Sequence, residues 1–241
     1  MIAHLPFLCY NIFMKYEFLL LDIDDTALDF LAAEKFAFKK THGDYGIPFE
    51  EKDYFNYSEF NKSLWKRFEK NEISLDYIKN NRFRLYFESR SVSVDAAAFQ
   101  LDYEENLALC GEVFEDGVIE TLSYISNKAQ IYAITNGMSH RQEKRLKLSG
   151  LNKFIKASFV SECIGVRKPD KLFFDYVENN ILNFDKKKAL VVGDSLSADI
   201  PAGLYGYKTC LINRKNTPVN DCIVKPDYII NEFNELKKFF P

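Results

Sequence analysis

The chain has 241 residues, 47% hydrophobic and 28% charged, which is typical of a globular protein with one large domain or a core domain with a smaller companion. Its 32 basic and 35 acidic residues leave a net charge of −3, and this mild acidity excludes a general electrostatic attraction for nucleic acid polymers. No apolar run approaches the roughly 20 residues that span a bilayer, so the sequence also argues against a membrane protein.

The chain begins with a fairly apolar segment, which lacks the basic start and the small-residue cleavage site of a signal peptide. Residues 1–13 are therefore predicted to be an N-terminal extension outside the fold. The first predicted strand follows at Glu17–Asp22, a short apolar run that ends in an acid. Such a run is typical of a strand that is buried in a parallel sheet.

The next part of the chain has no strand-like run and is predicted to be helical. It contains four amphipathic stretches, separated by a proline and by a polar segment: Asp29–Thr41, Glu50–Lys70, Ser74–Ser89 and Asp95–Leu109. We interpret residues 29–109 as a helical domain that is inserted into a core domain formed by residues 14–28 and 110–241.

The remainder of the chain alternates between apolar runs and helical stretches. The predicted strands are Gln130–Thr135, Ile155–Ser161, Lys188–Gly193, Tyr207–Ile212 and a short edge strand at Asp227–Ile230. The predicted helices are Gly117–Lys128, Ser139–Ser149, Pro169–Asn180 and Ser197–Leu204. This alternation predicts an α/β fold with a doubly wound, mostly parallel sheet.

Two acids close the first strand, Asp22 and Asp24. Side chains two residues apart in extended backbone point the same way, and carboxylates so close repel each other unless a cation lies between them. Such a pair can bind a hard divalent ion, or act as nucleophile and as acid or base. The alternative is an acidic turn in which Asp25 or Thr26 caps the next helix.

Three later strand ends carry further polar groups. Thr135 and Asn136 follow the second strand and can cradle an anion, with a plain turn or helix cap as the alternative. Lys168 follows the third strand and is a candidate cation, although a single lysine is more often solvated surface. Asp194 and Asp199 follow the fourth strand, and the alternative is that they only favour the start of a helix.

These four groups of residues share one property, which is that each lies at the carboxyl end of a predicted strand. In an open parallel sheet, ligands bind outside the carboxyl ends of the strands. Four acids, one lysine and one threonine at that edge match phosphoryl transfer, which depends on positioning and on neutralising negative charge.

The cysteines and histidines show no pattern of a disulfide framework or a zinc site. The five cysteines are far apart and form no CxxC pair, and the three histidines have no metal-ligand spacing; they are Cys9, Cys110, Cys163, Cys210, Cys222, His4, His42 and His140. A reduced cytoplasmic setting is the expectation.

The order DxDxT, Thr, Lys-Pro, GDxxxxD resembles that of the haloacid dehalogenase (HAD) superfamily of phosphohydrolases over the whole chain after Met14. Longer stretches are similar to the YjjG/YfnB-type pyrimidine 5′-nucleotidase branch, namely Asp24–Glu34, Ser63–Ser74, Thr135–Leu151 and Gly193–Gly203. The resemblance implies a HAD-like Rossmannoid core and identifies residues 29–109 as a helical cap. Such a cap closes over the site and reads the leaving group.

The resemblance also implies catalytic roles. Asp22 would be the nucleophile that forms an aspartyl-phosphate. Asp24 would protonate the leaving alkoxide and then deprotonate the hydrolytic water. Thr135, the Asn136 amide and Lys168 would hold the phosphate group.

A divalent cation is implied as well, Mg²⁺ with Mn²⁺ as the alternative, because hard oxygen ligands suit both. The ligands would be an Asp22 oxygen, the backbone carbonyl of Asp24 and the side chain of Asp194. Asp199 would support either the metal or Lys168.

The second aspartate of the motif favours phosphoryl transfer, because dehalogenases of this type replace it. The prediction is a Mg-dependent phosphomonoester hydrolase whose substrate is a small phosphorylated metabolite, first of all a pyrimidine nucleoside monophosphate. The alternatives are a phosphatase of a sugar phosphate or phosphoglycolate-like compound, a phosphomutase and a non-catalytic binding protein. A monomer or homodimer is expected, with neither nucleic acid nor membrane as partner.

Overall fold

A computed structural model of the chain describes residues 16–220 and 222–241. The predicted extension at residues 1–13, with His4 and Cys9, lies outside the described residues. Within those ranges, no helix is both long enough and apolar enough to cross a membrane.

Six parallel strands form one sheet in the order β3-β2-β1-β4-β5-β6. They are β1 (Phe18–Leu21), β2 (Gln130–Thr135), β3 (Ile155–Val160), β4 (Ala189–Gly193), β5 (Lys208–Ile212) and β6 (Tyr228–Ile230). The predicted doubly wound parallel sheet is confirmed, and the short run near residue 228 is its edge strand. The strand order reverses between β1 and β4. Folds of this kind bind ligands in the crevice at that point, outside the carboxyl ends of the strands.

The helices of this part of the chain are α5 (Val118–Ser126), α6 (Ser139–Leu148), α7 (Ser161–Ile164) and α8 (Lys171–Asn179). One predicted helix is wrong, since Ser197–Leu204 is replaced by a 3₁₀ segment at Ile200–Tyr205. Pro201 and Gly203 make this short segment a poor α-helix, and 3₁₀ geometry is common in such pieces. The 3₁₀ segment at Phe233–Phe239, close to the end of the chain, was not expected from the sequence.

The central strand β1 is buried on both faces, which explains its continuous apolar sequence. Alternate residues point to opposite sides of the sheet. Leu19 and Leu21 therefore pack in the cluster that includes residues of α5. Phe18 and Leu20 pack with residues of α8 on the other side. These two layers hold the carboxyl end of β1 in a fixed position.

Four helices lie in the chain between β1 and α5: α1 (Phe30–Asp44), α2 (Glu51–Glu69), α3 (Leu75–Glu88) and α4 (Ala96–Ala108). We refer to α1–α4 as the cap helices. They have a hydrophobic cluster of their own that is rich in stacked and edge-on aromatic rings, including Phe38, Tyr57, Phe83 and Phe99. Asp29, not Asp25 or Thr26, caps α1, because its carboxylate accepts the N–H of Ala32.

The buried position of Leu20 in β1 generates a stability prediction. Leu20→Ala removes buried methyl groups and leaves a cavity between the sheet and α8, so the free energy of unfolding should fall by about 2–5 kcal/mol. Urea denaturation measures this change. Leu101→Ala is the matched control, since Leu101 in α4 is 69% exposed and should change stability by less than about 0.5 kcal/mol. Equal losses in both variants would contradict the role of Leu20 in the core.

Candidate active site

Asp22 follows the last residue of β1 and is buried at its carboxyl end. Its Oδ1 accepts a hydrogen bond of 2.7 Å from Lys168 Nζ, and its Oδ2 accepts one of 2.9 Å from Thr26 Oγ1. Burial raises the pKa of Asp22 to about 7 although Lys168 opposes the rise, and the charge of Asp199 adds to it. Thr26, which the sequence offered only as a helix cap, instead orients this carboxylate.

Lys168 is almost completely buried, at 1% exposure, so the alternative of a solvated surface lysine is wrong. Its ammonium group donates to Asp22 Oδ1 at 2.7 Å, to Asp199 Oδ1 at 2.7 Å and to the Ile134 carbonyl at 2.8 Å. Because all three N–H groups have acceptors, the buried cation is satisfied. Burial alone would lower the pKa of Lys168, but the two carboxylates outweigh it and raise the pKa above its usual range.

The backbone on either side of this lysine is fixed by Asn136. The Asn136 side chain accepts the N–H of Lys168 and donates to the carbonyl of the same residue, at 2.9 Å each. The predicted phosphate-binding residue Asn136 is thus also the contact that joins the end of β2 to the loop after β3. Its own backbone amide is not used in this pairing.

Asp199 is fully buried and both of its oxygens are engaged within the protein. Oδ1 accepts from Lys168, and Oδ2 accepts the N–H of Ser195 at 3.1 Å. A Cβ atom at Gly193 would lie 2.0 Å from Asp199 Oδ2, so only glycine permits this close approach. The Asp199 side chain is therefore committed to holding the lysine and the loop after β4.

Three carboxylates form an acidic cluster, since oxygens of Asp22, Asp194 and Asp199 lie within 4.8 Å of one another. Within the described parts of the chain, no hydrogen-bond donor contacts the Asp194 carboxylate. Burial, and then repulsion by Asp22 and Asp199, raise the pKa of Asp194 well above its usual range. The Asp194 carboxylate, which has no donor there and is repelled by two neighbouring carboxylates, offers the oxygen ligands that a hard divalent cation prefers.

Asp24 lies outside this cluster and its side chain faces α6 instead. Gln142 Nε2 donates to its Oδ2 at 2.5 Å, Arg145 pairs with its Oδ1, and Arg141 Nη2 lies 3.9 Å from Oδ2. Burial alone would raise the pKa of Asp24, but Arg145 and Arg141 outweigh it and hold the pKa below its usual range. The structure therefore places this side chain as an ionised carboxylate between guanidinium groups.

Thr135 ends β2 and is buried beside the same helix. Its Oγ1 accepts the N–H of Gly137 at 3.0 Å and a longer bond of 3.3 Å from Gln142 Nε2. The plain turn that the sequence left as an alternative is thus present. It keeps Thr135 at the carboxyl edge of the sheet next to the other candidate residues.

Sequence reasoning did not identify the residues of α6 that contact Asp24. Arg141, Gln142 and Arg145 recur at the spacing of one helix face, and all three are buried. A signal was present, because the inward face of an amphipathic helix normally carries apolar residues. Polar and charged residues at those positions indicate a buried polar partner.

Arg214 was also not identified, although it fixes the turn that follows Asp24. Its guanidinium donates to the carbonyls of Asp25 and Thr26 at 3.1 and 3.0 Å and pairs with Asp116 at 2.7 Å. Asp25 has φ of 59° and so is in the left-handed region. An external anchor of this kind stabilises a turn that the local sequence does not favour.

A cavity of about 170 Å³ lies between the cap helices and the carboxyl edge of the sheet. Its core side includes Asp22, Asp24, Lys168 and Asp194, and its cap side includes Trp65 and Glu69 of α2. Glu69 also accepts a hydrogen bond of 2.8 Å from Ser197 Oγ, in the loop after β4. The predicted residues from all four strand ends thus line one cavity.

Comparison with known proteins gives consistent results. The family model for haloacid dehalogenase-like hydrolases matches residues 16–205. The pyrimidine 5′-nucleotidases PynA of Streptococcus pneumoniae and YjjG of Escherichia coli are 37% and 28% identical, over 92% and 93% of this chain and 94% and 98% of their own. The HAD-hydrolase YfnB of Bacillus subtilis is 38% identical over 92% of this chain and 94% of its own. A crystal structure of YfnB bound to magnesium matches with a TM-score of 0.88 and 36% identity, over 94% of this chain and 99% of that one.

Repulsion within the acidic cluster generates a prediction for metal-free protein. In EDTA at pH 8, Asp194→Asn should raise the melting temperature by about 2–4 °C, equivalent to about 1 kcal/mol, because it removes one of three repelling charges. The raised pKa of Asp22, about 7, means that the folded state binds a proton at pH 5. The gain should therefore shrink at pH 5, where protonation already relieves the repulsion.

Differential scanning calorimetry with and without Mg²⁺ completes this test. Mg²⁺ should stabilise the wild type more than Asp194→Asn. Glu59→Gln, at an exposed position of α2, is the control and should respond to Mg²⁺ as the wild type does. An Asp194→Asn variant that is less stable than the wild type in EDTA at pH 8 would contradict the repulsion.

Proposed function

The chain belongs to the haloacid dehalogenase-like hydrolases and is a phosphatase, and from this premise we propose that it hydrolyses pyrimidine nucleoside 5′-monophosphates through phosphorylation of Asp22. The observation that carries the proposal is the Asp22 carboxylate, oriented by Lys168 and Thr26 in the cavity that Asp24 also lines. The relatives PynA and YjjG are pyrimidine 5′-nucleotidases, which supports the choice of substrate.

In the first step, an Asp22 oxygen attacks phosphorus and the bond between phosphorus and the ester oxygen breaks. The products are an aspartyl-phosphate and an alkoxide, which takes a proton from Asp24. Thr135, the Asn136 amide and Lys168 would bind the phosphoryl oxygens and offset their charge. In the second step, Asp24 accepts a proton from water, the water oxygen attacks phosphorus, and the bond to Asp22 breaks to release phosphate.

Asp24 needs two protonation states in this scheme. Its low pKa at rest suits the second step, in which a carboxylate accepts a proton. The first step needs the protonated form. A phosphate ester that enters the cavity carries negative charge, which opposes Arg141 and Arg145 and raises the pKa of a neighbouring carboxyl.

The residues present fit a Mg²⁺ or Mn²⁺ ion, because the Asp194 oxygens have no donor among the described residues and face two further carboxylates. Asp22, Asp194 and the backbone carbonyl of Asp24 would hold the ion, with Asp199 acting through Lys168. When bound, the ion supplies positive charge for the phosphoryl oxygens. The magnesium-bound structure of YfnB supports this assignment.

A specific observation favours a second candidate, a phosphatase of a smaller metabolite such as a sugar phosphate or a phosphoglycolate-like compound. The cavity of about 170 Å³ is smaller than the roughly 300–1,000 Å³ of most ligand pockets. A small phosphate ester therefore fits within this space, whereas part of a nucleotide would extend out of it.

The nucleophile is tested with Asp22→Asn. The amide cannot attack phosphorus, so phosphate release should fall by at least about a thousandfold. Circular dichroism should show that the variant remains folded. Wild-type enzyme quenched in acid after mixing with labelled substrate should carry one phosphoryl group per chain, and Asp22→Asn should carry none. Unchanged phosphate release by the variant would exclude Asp22 as the nucleophile.

The substrate class is tested with a panel of phosphate esters. We expect kcat/KM for dUMP, dTMP and UMP to exceed that for glucose 6-phosphate and phosphoglycolate by at least about tenfold, because the leaving groups differ in their contacts with the cap. EDTA should abolish turnover, and Mg²⁺ or Mn²⁺ should restore it. Faster release from the smaller esters would support the second candidate and leave the phosphatase chemistry in place.

A further inference from the structure

One face of α6 carries buried polar residues where a helix against a sheet normally carries apolar ones. Arg141, Gln142 and Arg145 are at most 3% exposed, although polar side chains in the interior are stable only with partners. All three approach the same group, the carboxylate of Asp24. Asp24 is thus the one partner that these three side chains share.

The Gln142 side chain is held in place by Thr135 and by the backbone at Gly137 as well as by Asp24. Its Nε2 donates to Asp24 Oδ2 at 2.5 Å and lies 3.3 Å from Thr135 Oγ1. A Cβ atom at Gly137 would lie 2.2 Å from the same nitrogen, so the glycine leaves the space that the amide fills. The Gln142 side chain therefore has little freedom to rotate away.

Arg145 is fully buried and is fixed at two other points. Its Nε donates to the carbonyl of Cys110 at 2.9 Å, and its guanidinium lies over the ring of Phe30, 5.8 Å from the centroid. One further nitrogen, Nη1, pairs with Asp24 Oδ1. A planar guanidinium held in this way presents its remaining N–H groups in a fixed direction.

The two oxygens of Asp24 thus have different partners on one helix, Arg145 at Oδ1 and Gln142 at Oδ2. Asp24 itself lies beyond the end of β1 in the turn before α1, where no strand or helix sets the side-chain direction. Both rotation about its side-chain bonds and the tilt of the carboxylate are therefore set from α6.

α6 is in turn connected to the cap helices by a chain of buried charges. Arg141 donates to Glu104 of α4 at 3.2 Å, and Glu104 is also bound by Arg82 and Gln100. Burial would raise the pKa of Glu104, but Arg141 and Arg82 outweigh it and keep the pKa low. This ionised carboxylate therefore connects the α6 face to α3 and α4.

We propose that Gln142 and Arg145 are positioning residues that aim the Asp24 carboxyl at the ester oxygen of the substrate. This rests on the proposed function, in which Asp24 donates the proton that the departing alkoxide needs. A misdirected carboxyl would slow only reactions whose leaving group requires a proton.

The test compares two esters. p-Nitrophenyl phosphate releases a stabilised phenolate that departs without a proton, whereas dUMP releases an alkoxide that must be protonated. The readout is the ratio of kcat/KM for dUMP to kcat/KM for p-nitrophenyl phosphate. Partial unfolding lowers both values equally and leaves this ratio unchanged, so the ratio reports proton donation alone.

Gln142→Met keeps the shape of the side chain and removes the N–H donor, and Arg145→Lys keeps the charge and removes the planar fork. Each should lower the ratio by about tenfold, and Asp24→Asn by about a hundredfold. Asn106→Leu is the matched control, because Asn106 is a buried amide of α4 that donates to Thr41 and Asp44 and contacts neither Asp24 nor Glu104. Its ratio should equal that of the wild type.

The outcomes separate the inference from the proposed function. An unchanged ratio in Gln142→Met and Arg145→Lys, with a reduced ratio in Asp24→Asn, overturns the positioning role and leaves the acid in place. An unchanged ratio in Asp24→Asn overturns the acid role itself. A ratio that also falls in Asn106→Leu assigns the effect to general loosening of the buried polar residues, which likewise overturns the positioning role.

Discussion

The ammonium group of Lys168 is the interaction on which the rest of the site depends. It is almost completely buried, and it binds Asp22 at the end of β1 and Asp199 in the loop after β4 at 2.7 Å each. A buried cation is tolerated only when its partners are charged and well placed, and removal of one partner leaves an uncompensated charge. The strand order β2-β1-β4 brings these partners together. Gly193 allows Asp199 to approach, and Asn136 holds the lysine backbone.

The sequence predicted the strands, the inserted helices and the residues at the strand ends, because these depend on local periodicity and on a rule about parallel sheets. The predicted α-helix at Ser197–Leu204 was wrong because the hydrophobic pattern of a short segment does not distinguish an α-helix from a 3₁₀ helix. The roles of Thr26 and of the α6 residues could not be predicted either. A polar residue in an amphipathic helix is normally assigned to the solvent side, and only coordinates show that Arg145 and Gln142 face a carboxylate.

The candidate site breaks rules of burial and charge pairing that the rest of the fold follows. The aromatic cluster of the cap helices and the apolar layers around β1 follow ordinary rules of burial. By contrast, Asp22, Asp194 and Asp199 place three carboxylates within 4.8 Å of one another. Natural proteins break local rules of this kind mainly at functional sites, at a cost in stability that the remaining core offsets. Burial and repulsion by the neighbouring carboxylates raise the pKa of Asp194, and this raised pKa reflects that cost in stability.

The contacts between α2 and the loops of the sheet have a mechanical consequence. Ser197 donates to Glu69, and Arg167 donates to the Phe68 carbonyl and to the side chain of Asn71, so the end of α2 is hydrogen-bonded to the core at two places. A movement of α2 away from the sheet would break both sets of hydrogen bonds. Substitutions at these contacts can thus change how readily α2 moves while leaving the carboxylates of the site untouched.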